Sequence, residues 1–169
     1  LLLLGGMREA AVEKFLGIYE TSSPSYVLMT GIERCIHYVR DNKETAFAQL
    51  RSKLDRFYQK VSGLSHLKVV RKSDFSADEA YDFDESKIII FTKEAMNGHT
   101  LLELLLKKYE LQLEMAAGNY VLALASVMDT DEGFDRLADA LIEIDSRLEK
   151  YKSDFEEFYD ILKQEGVVH

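Results

Sequence analysis

Apolar side chains recur along the chain first at helical spacing and then in short strand-like runs. After Leu1-Leu2-Leu3-Leu4-Gly5-Gly6, the positions of Ala10, Ala11, Phe15 and Leu16 predict a short helix over 7–16. Residues 17–23 read as a polar turn. Ser23-Pro24 then predicts a helix start, with Ser as N-cap and Pro in the first helical position. That helix is expected over 24–40, burying Tyr26, Val27, Met29, Thr30, Ile36 and Val39, and Asp41-Asn42 is read as its break. The next helix is expected over 43–61, with Phe47, Leu50, Leu54, Phe57, Tyr58 and Val61 at three- and four-residue spacing.

Gly63 marks the change of period. Strands are expected over 64–70, 86–92, 111–115 and 120–126, the second carrying Ile88-Ile89-Ile90-Phe91, a run of high strand propensity. Residues 71–82 read as a charged connection, and 116–119 as the link between the last two strands. Asn97-Gly98-His99-Thr100 caps a helix reaching about Tyr109. Asp129-Thr130-Asp131-Glu132 starts a long helix, acid in its first turn, with Phe134, Leu137, Leu141, Ile144 and Leu148 on one face. The helical pattern continues over 151–162. The fold class expected is α/β, more narrowly an α+β small domain: two helices, then a sheet of three or four strands with helices on one face. The expected division is 1–62 and 63–169.

Composition narrows the partners. The 169 residues carry 21 basic and 30 acidic side chains, a formal charge of −9, which argues against nucleic acid and against an anionic membrane surface. No apolar run approaches the roughly 20 residues of a membrane span. A single cysteine excludes an internal disulfide and a cysteine-based zinc cluster, and fits a reducing, cytoplasmic setting. The start, Leu1 to Gly6, resembles the end of a buried strand, so residue 1 is expected to lie inside a longer protein; the alternative is a cloning scar.

The most informative stretch is Thr21-Ser22-Ser23-Pro24. Hydroxyls just before a helix N-terminus, where backbone N–H groups are free, suit a phosphate. The simpler alternative is that Ser23 only caps the helix and its neighbours face water. Glu114 lies within the apolar stretch Leu111-Gln112-Leu113-Glu114-Met115, either facing a cleft where it binds a cation or pointing to solvent. His37, His66, His99 and His169 share no ligand-like spacing, so no metal is expected. Cys35 is read as a small buried hydrophobe. The acids Asp74, Asp78, Glu79, Asp82, Asp84 and Glu85 read as a solvated connection.

These motifs together resemble the bacterial Orn/Lys/Arg decarboxylases. Leu1 to Gly6 and Ile18-Tyr19-Glu20-Thr21-Ser22-Ser23-Pro24-Ser25-Tyr26 resemble the segment after that family's cofactor lysine. Asp84-Glu85-Ser86-Lys87 is similar to its Asp-Pro-x-Lys strand entry, with Glu85 in place of Pro. Asn97-Gly98 through Glu114 resembles its Gly-helix-strand-Glu element. Asn119-Tyr120 to Leu124, then Asp129-Thr130, resembles its next strand and helix start, where relatives often have Tyr-Asn. The resemblance covers 1 to about 145.

It implies the C-terminal portion of a fold-type-I enzyme dependent on pyridoxal phosphate, with a role in polyamine biosynthesis. Its substrate would be lysine, ornithine or arginine, and the product the corresponding amine. The Schiff-base lysine would lie upstream of Leu1, leaving no catalytic residue here and the chain inactive alone. Thr21, with Ser22 and Ser23, would contact the cofactor phosphate across the interface of a homodimer or higher homo-oligomer. Glu114 would face the distal cation of the basic substrate. Two other readings stand beside it: a non-catalytic oligomerisation or regulatory module derived from that family, and a small-molecule regulatory domain using the cleft beside Glu114.

Overall fold

A computed structural model describes residues 9–20, 23–76, 78 and 80–150. The chain divides into two compact units, Leu1–Lys43 and Glu44–His169. The helix expected over 151–162 lies outside the described residues.

The first unit contains α1 (Glu9–Tyr19) and the first part of α2 (Tyr26–Lys60). Phe15 and Tyr19 stack one turn apart, ring centroids 6.5 Å from each other. The start of α2 differs from the expected Ser23 cap. Ser25 takes that place: its hydroxyl accepts from the Leu28 N–H at 3.4 Å and its carbonyl from the Met29 N–H at 3.0 Å. The expected break at Asp41-Asn42 is absent and α2 runs unbroken through it. The reason is local. Asp and Asn lower helix propensity by only a few tenths of a kcal/mol, far less than Gly or Pro. Here Asp41 accepts from the Arg40 guanidinium at 2.7 Å, and the Asn42 amide donates back to the Tyr38 carbonyl at 3.0 Å. The side of α2 expected to be buried at Tyr26, Val27, Met29, Thr30 and Ile36 is exposed, and Val39 is half-buried.

The second unit begins with the last part of α2, whose Ala46, Leu50, Leu54, Phe57 and Tyr58 are buried. Then come β1 (Lys68–Val69), a 3₁₀ turn (Lys72–Asp74), β2 (Lys87–Phe91), α3 (Gly98–Tyr109), β3 (Met115–Ala117), β4 (Tyr120–Leu124) and α4 (Asp131–Lys150). The strands form an antiparallel sheet in the order β1-β2-β4-β3. This is the α+β arrangement expected. Register pairs Ile88 with Ala123 and Ile90 with Val121, so these four share one face. They join Leu101 and Leu105 of α3, Leu141 and Ile144 of α4 and the α2 side chains in one core, with the helices on that face.

Two strands begin later than expected. Only Lys68–Val69 of the 64–70 stretch pairs, because Ser65, His66 and Leu67 spend their N–H groups on Asp145. The third strand is Met115–Ala117 instead of 111–115. The Leu111 N–H is used to close α3 on the Leu105 carbonyl at 3.0 Å. The 116–119 link is therefore half strand, and the turn is Gly118-Asn119 alone. Gly118 has φ 51°, as the first central position of a II′ hairpin turn requires.

Gly98 is fixed by a close approach. A Cβ there would sit 2.3 Å from the Tyr120 carbonyl oxygen. Its N–H donates to the Gly118 carbonyl at 2.8 Å, while the Thr92 N–H and hydroxyl both donate to Asn119 at 2.8 Å. The Asn97 side chain caps α3 by accepting from the His99 N–H at 2.8 Å. Along α2 and α4, Lys60 reaches Asp139 at 2.9 Å and Asp135 at 3.3 Å, and Arg56 pairs with Asp131.

Candidate functional site

The expected phosphate-binding hydroxyls divide. Thr21 and Ser22 lie outside the described residues. Ser23 lies in an exposed bend beside the N-terminus of α2, and Pro24 and Ser25 are exposed as well. The first N–H groups of any helix lack intrahelical acceptors. An exposed serine beside such a terminus has the donor chemistry a phosphate takes. Ser25, by contrast, is committed to capping α2.

Glu114 belongs to the second unit, one residue before β3. Its N–H donates to the Leu122 carbonyl at 2.9 Å, and its side chain is exposed. Ser23 belongs to the first unit and Glu114 to the second.

Cys35 departs from expectation: it is exposed on α2, not buried, since no described layer covers that part of the helix. His37 and His99 are exposed and His66 is half-buried. Among the described residues no group of His, Cys, Asp or Glu could hold a metal ion. No described helix is long and apolar enough to cross a membrane.

Sequence reasoning missed the most demanding polar group. Asp145 is buried on α4 and its carboxylate accepts from the N–H groups of Ser65, His66 and Leu67 at 2.9, 2.8 and 2.7 Å. An acid at a core-facing position of the α4 stripe, next to Ile144, was the signal available. The acids of 71–85 are more than a solvated connection. Asp74 accepts from the Arg71 N–H at 2.8 Å and pairs with Lys68 at 3.0 Å. Partial burial pushes its carboxyl up, but these two partners together hold it below the usual carboxylate range. Asp84 accepts from the Ser86 hydroxyl at 2.6 Å and N–H at 3.0 Å, which hold it low in the same way.

A cavity of about 310 Å³ opens between the end of α2 and β1, lined by Val61, Leu64, Leu67, Lys68, Arg71 and Asp74 among others. Arg71 lies over the Tyr58 ring, 5.3 Å from its centroid, and donates to the Tyr58 carbonyl. The Tyr58 hydroxyl donates to the Glu85 carbonyl at 3.2 Å. Burial, then the charge of Glu85, push the phenol up to about 12, against the opposing pull of Arg71. The cavity does not include Glu114. Within its wall Lys68 pairs with Asp74, and Ser62, also in the lining, donates its hydroxyl to the Gln59 carbonyl at 2.8 Å.

Compared with known proteins, the chain is 23% identical over 134 residues to an arginine decarboxylase of Halalkalibacterium halodurans, covering 79% of this chain and 27% of that protein. It is 22% identical over 144 residues to one from Bacillus anthracis, covering 85% and 29%, and 21% identical over 131 residues to one from Bacillus cereus, covering 77% and 28%. The chain thus spans under a third of the length of these curated relatives. No family model matches the chain. No solved structure matches it either.

Proposed function

We propose that the chain is the C-terminal part of a pyridoxal-phosphate-dependent decarboxylase of basic amino acids, with arginine the first substrate to test. The observation that carries this reading is the match of about four-fifths of the chain to proteins named arginine decarboxylase. The exposed, hydroxyl-bearing bend before α2 supports it, being open to a ligand held by other parts of a larger protein.

When bound, the cofactor supplies an electron sink for the pair left by departing carbon dioxide. In this reading Thr21, Ser22 and Ser23 donate to its phosphate. The exposed Glu114 carboxylate attracts the distal cation of the substrate. The Schiff-base lysine belongs upstream, so residues 1–169 alone have no turnover, and the complete enzyme works as a homodimer or higher homo-oligomer in the cytoplasm, supplying amines to polyamine biosynthesis.

The test is to assay the complete protein and the 169-residue chain for carbon dioxide release from arginine, ornithine and lysine. Release by the complete protein and none by the chain is expected. In the complete protein, Thr21→Ala should weaken cofactor binding about tenfold, the loss of a charge-assisted hydrogen bond. No release from any of the three substrates, or turnover by the chain alone, would overturn the reading. A second reading, a non-catalytic oligomerisation module derived from such an enzyme, is favoured by the exposed apolar row Tyr26, Val27, Met29, Ile32 and Ile36. It predicts that the chain pulls down a complete relative.

A further inference from the structure

The sequence contains three asparagines, and Asn97 alone precedes a glycine. An Asn-Gly peptide carries a slow reaction of its own. The glycine backbone nitrogen loses its proton and attacks the asparagine Cγ, a C–N bond forms and ammonia leaves. Water then opens the five-membered imide at one of its two carbonyls, giving aspartate or isoaspartate. Glycine favours this attack because no side chain shields the nitrogen. In this fold the glycine at 98 is obligatory, since an added Cβ would collide with the Tyr120 carbonyl. The docking of α3 on β4 therefore demands the reactive dipeptide, and Asn97 is exposed to water.

The same docking blocks the reaction at three points. The Gly98 N–H, which must lose its proton, donates to the Gly118 carbonyl at 2.8 Å. The Asn97 side chain, which must swing onto that nitrogen, is held by accepting from the His99 N–H at 2.8 Å. Ring closure brings Cβ, Cα, C and the Gly98 nitrogen near one plane, whereas Asn97 is extended, with φ −72° and ψ 146°. Turning ψ would carry Gly98 off Gly118 and Tyr120. The acceptor is itself fixed. Next to Gly118, the Asn119 carbonyl takes both the N–H and the hydroxyl of buried Thr92 at 2.8 Å. The reaction thus needs the start of α3 to leave the β3–β4 turn, which is a local opening of the fold.

We propose that Asn97-Gly98 is a gated deamidation site, silent while the start of α3 is docked on the β3–β4 turn and reactive once it opens. The two products have opposite consequences. Aspartate at 97 keeps the cap, since a carboxylate accepts from the His99 N–H as an amide does and suits a helix N-terminus. Isoaspartate runs the main chain through the former side chain and lengthens it by a methylene. Gly98 then no longer meets Gly118 and Tyr120 together, and α3 cannot dock again in the same way. The site records irreversibly how often that corner of the sheet opens.

The test is to incubate the 169-residue chain at neutral pH, folded and unfolded in guanidinium chloride. Peptide mass mapping follows the mass gained when the Asn97 amide becomes a carboxyl. The folded chain should react about tenfold more slowly than the unfolded one, or more slowly still. Thr92→Val removes the hydroxyl bond to Asn119 and should speed the reaction in the folded chain severalfold. Equal rates in the folded and unfolded chains, or an unchanged rate in folded Thr92→Val, would overturn the proposal. If Thr92→Val does not fold, the comparison of folded with unfolded wild type decides the matter.

Discussion

Along α2 the same spacing of apolar side chains meets two different fates. Met29, Ile32 and Ile36 are exposed by 51%, 61% and 60%, whereas Leu50, Leu54 and Phe57 are exposed by 8%, 6% and 2%. Both stretches have the periodicity of an amphipathic helix, and only the later one lies in a unit with a sheet and two further helices to pack on. Periodicity shows that a stripe demands cover. Whether the cover is present depends on how much chain folds around it, and that is a property of the unit, not of the helix.

Truncation of matched side chains in the two stretches sharpens the contrast most. Leu105→Ala removes a side chain with no exposed surface in the second unit and should lower stability by about 3 kcal/mol, the range for cavity-forming core substitutions. Ile32→Ala, in the exposed stretch, should change it by no more than about 0.5 kcal/mol. Urea denaturation of the two variants checks this. An equal loss would mean that the first stretch is covered in solution.

Next in size is the buried carboxylate. Asp145→Ala strips three N–H groups of their acceptor at once. A cost of about 3 kcal/mol follows from leaving buried donors unsatisfied. The same variant should speed amide exchange at Leu67 and Val69 before the rest of the sheet, because the loop into β1 loses its anchor. Gly98→Ala should follow at about 2 kcal/mol, since the added methyl cannot share space with the Tyr120 carbonyl and α3 must move off β4. At Gly17, where nothing lies within 4 Å of an added Cβ, Gly→Ala should be neutral or slightly stabilising within α1.

The second unit was the more legible region for the same physical reason. Ile88-Ile89-Ile90-Phe91, the Asn97 cap and the α4 stripe are local patterns whose partners lie within the unit, and each formed where the pattern placed it. Errors fell where a long-range partner redirected a local preference: the Asp145 carboxylate shortened β1, and closure of α3 by Leu111 delayed β3. The Asp41-Asn42 break was over-read, because weak helix formers with local hydrogen bonds do not stop a helix. The site was less legible than the fold. Ser23 gave its capping role to Ser25, a choice invisible to spacing. Cys35 was misjudged because its stretch of α2 reads as a buried helix.

A smaller effect than the core truncations turns on Tyr58, where α2 enters the packed unit. Its phenol is pushed from 10.0 to about 12 in the folded chain, so the folded state holds the proton more tightly than the unfolded one. The stability this contributes is complete below pH 10 and is lost as pH rises from 10 toward 12. Tyr58→Phe removes both the titration and the bond to the Glu85 carbonyl. At pH 7 the variant should be less stable by about 1 kcal/mol, the net worth of one hydrogen bond. Between pH 10 and 12 the wild type should lose stability faster than the variant, and the two curves should converge. Urea midpoints at pH 7, 10 and 11.5 would reveal it. Parallel curves would mean that Tyr58 ionises as readily as an exposed tyrosine, and that the end of α2 is as open as its beginning.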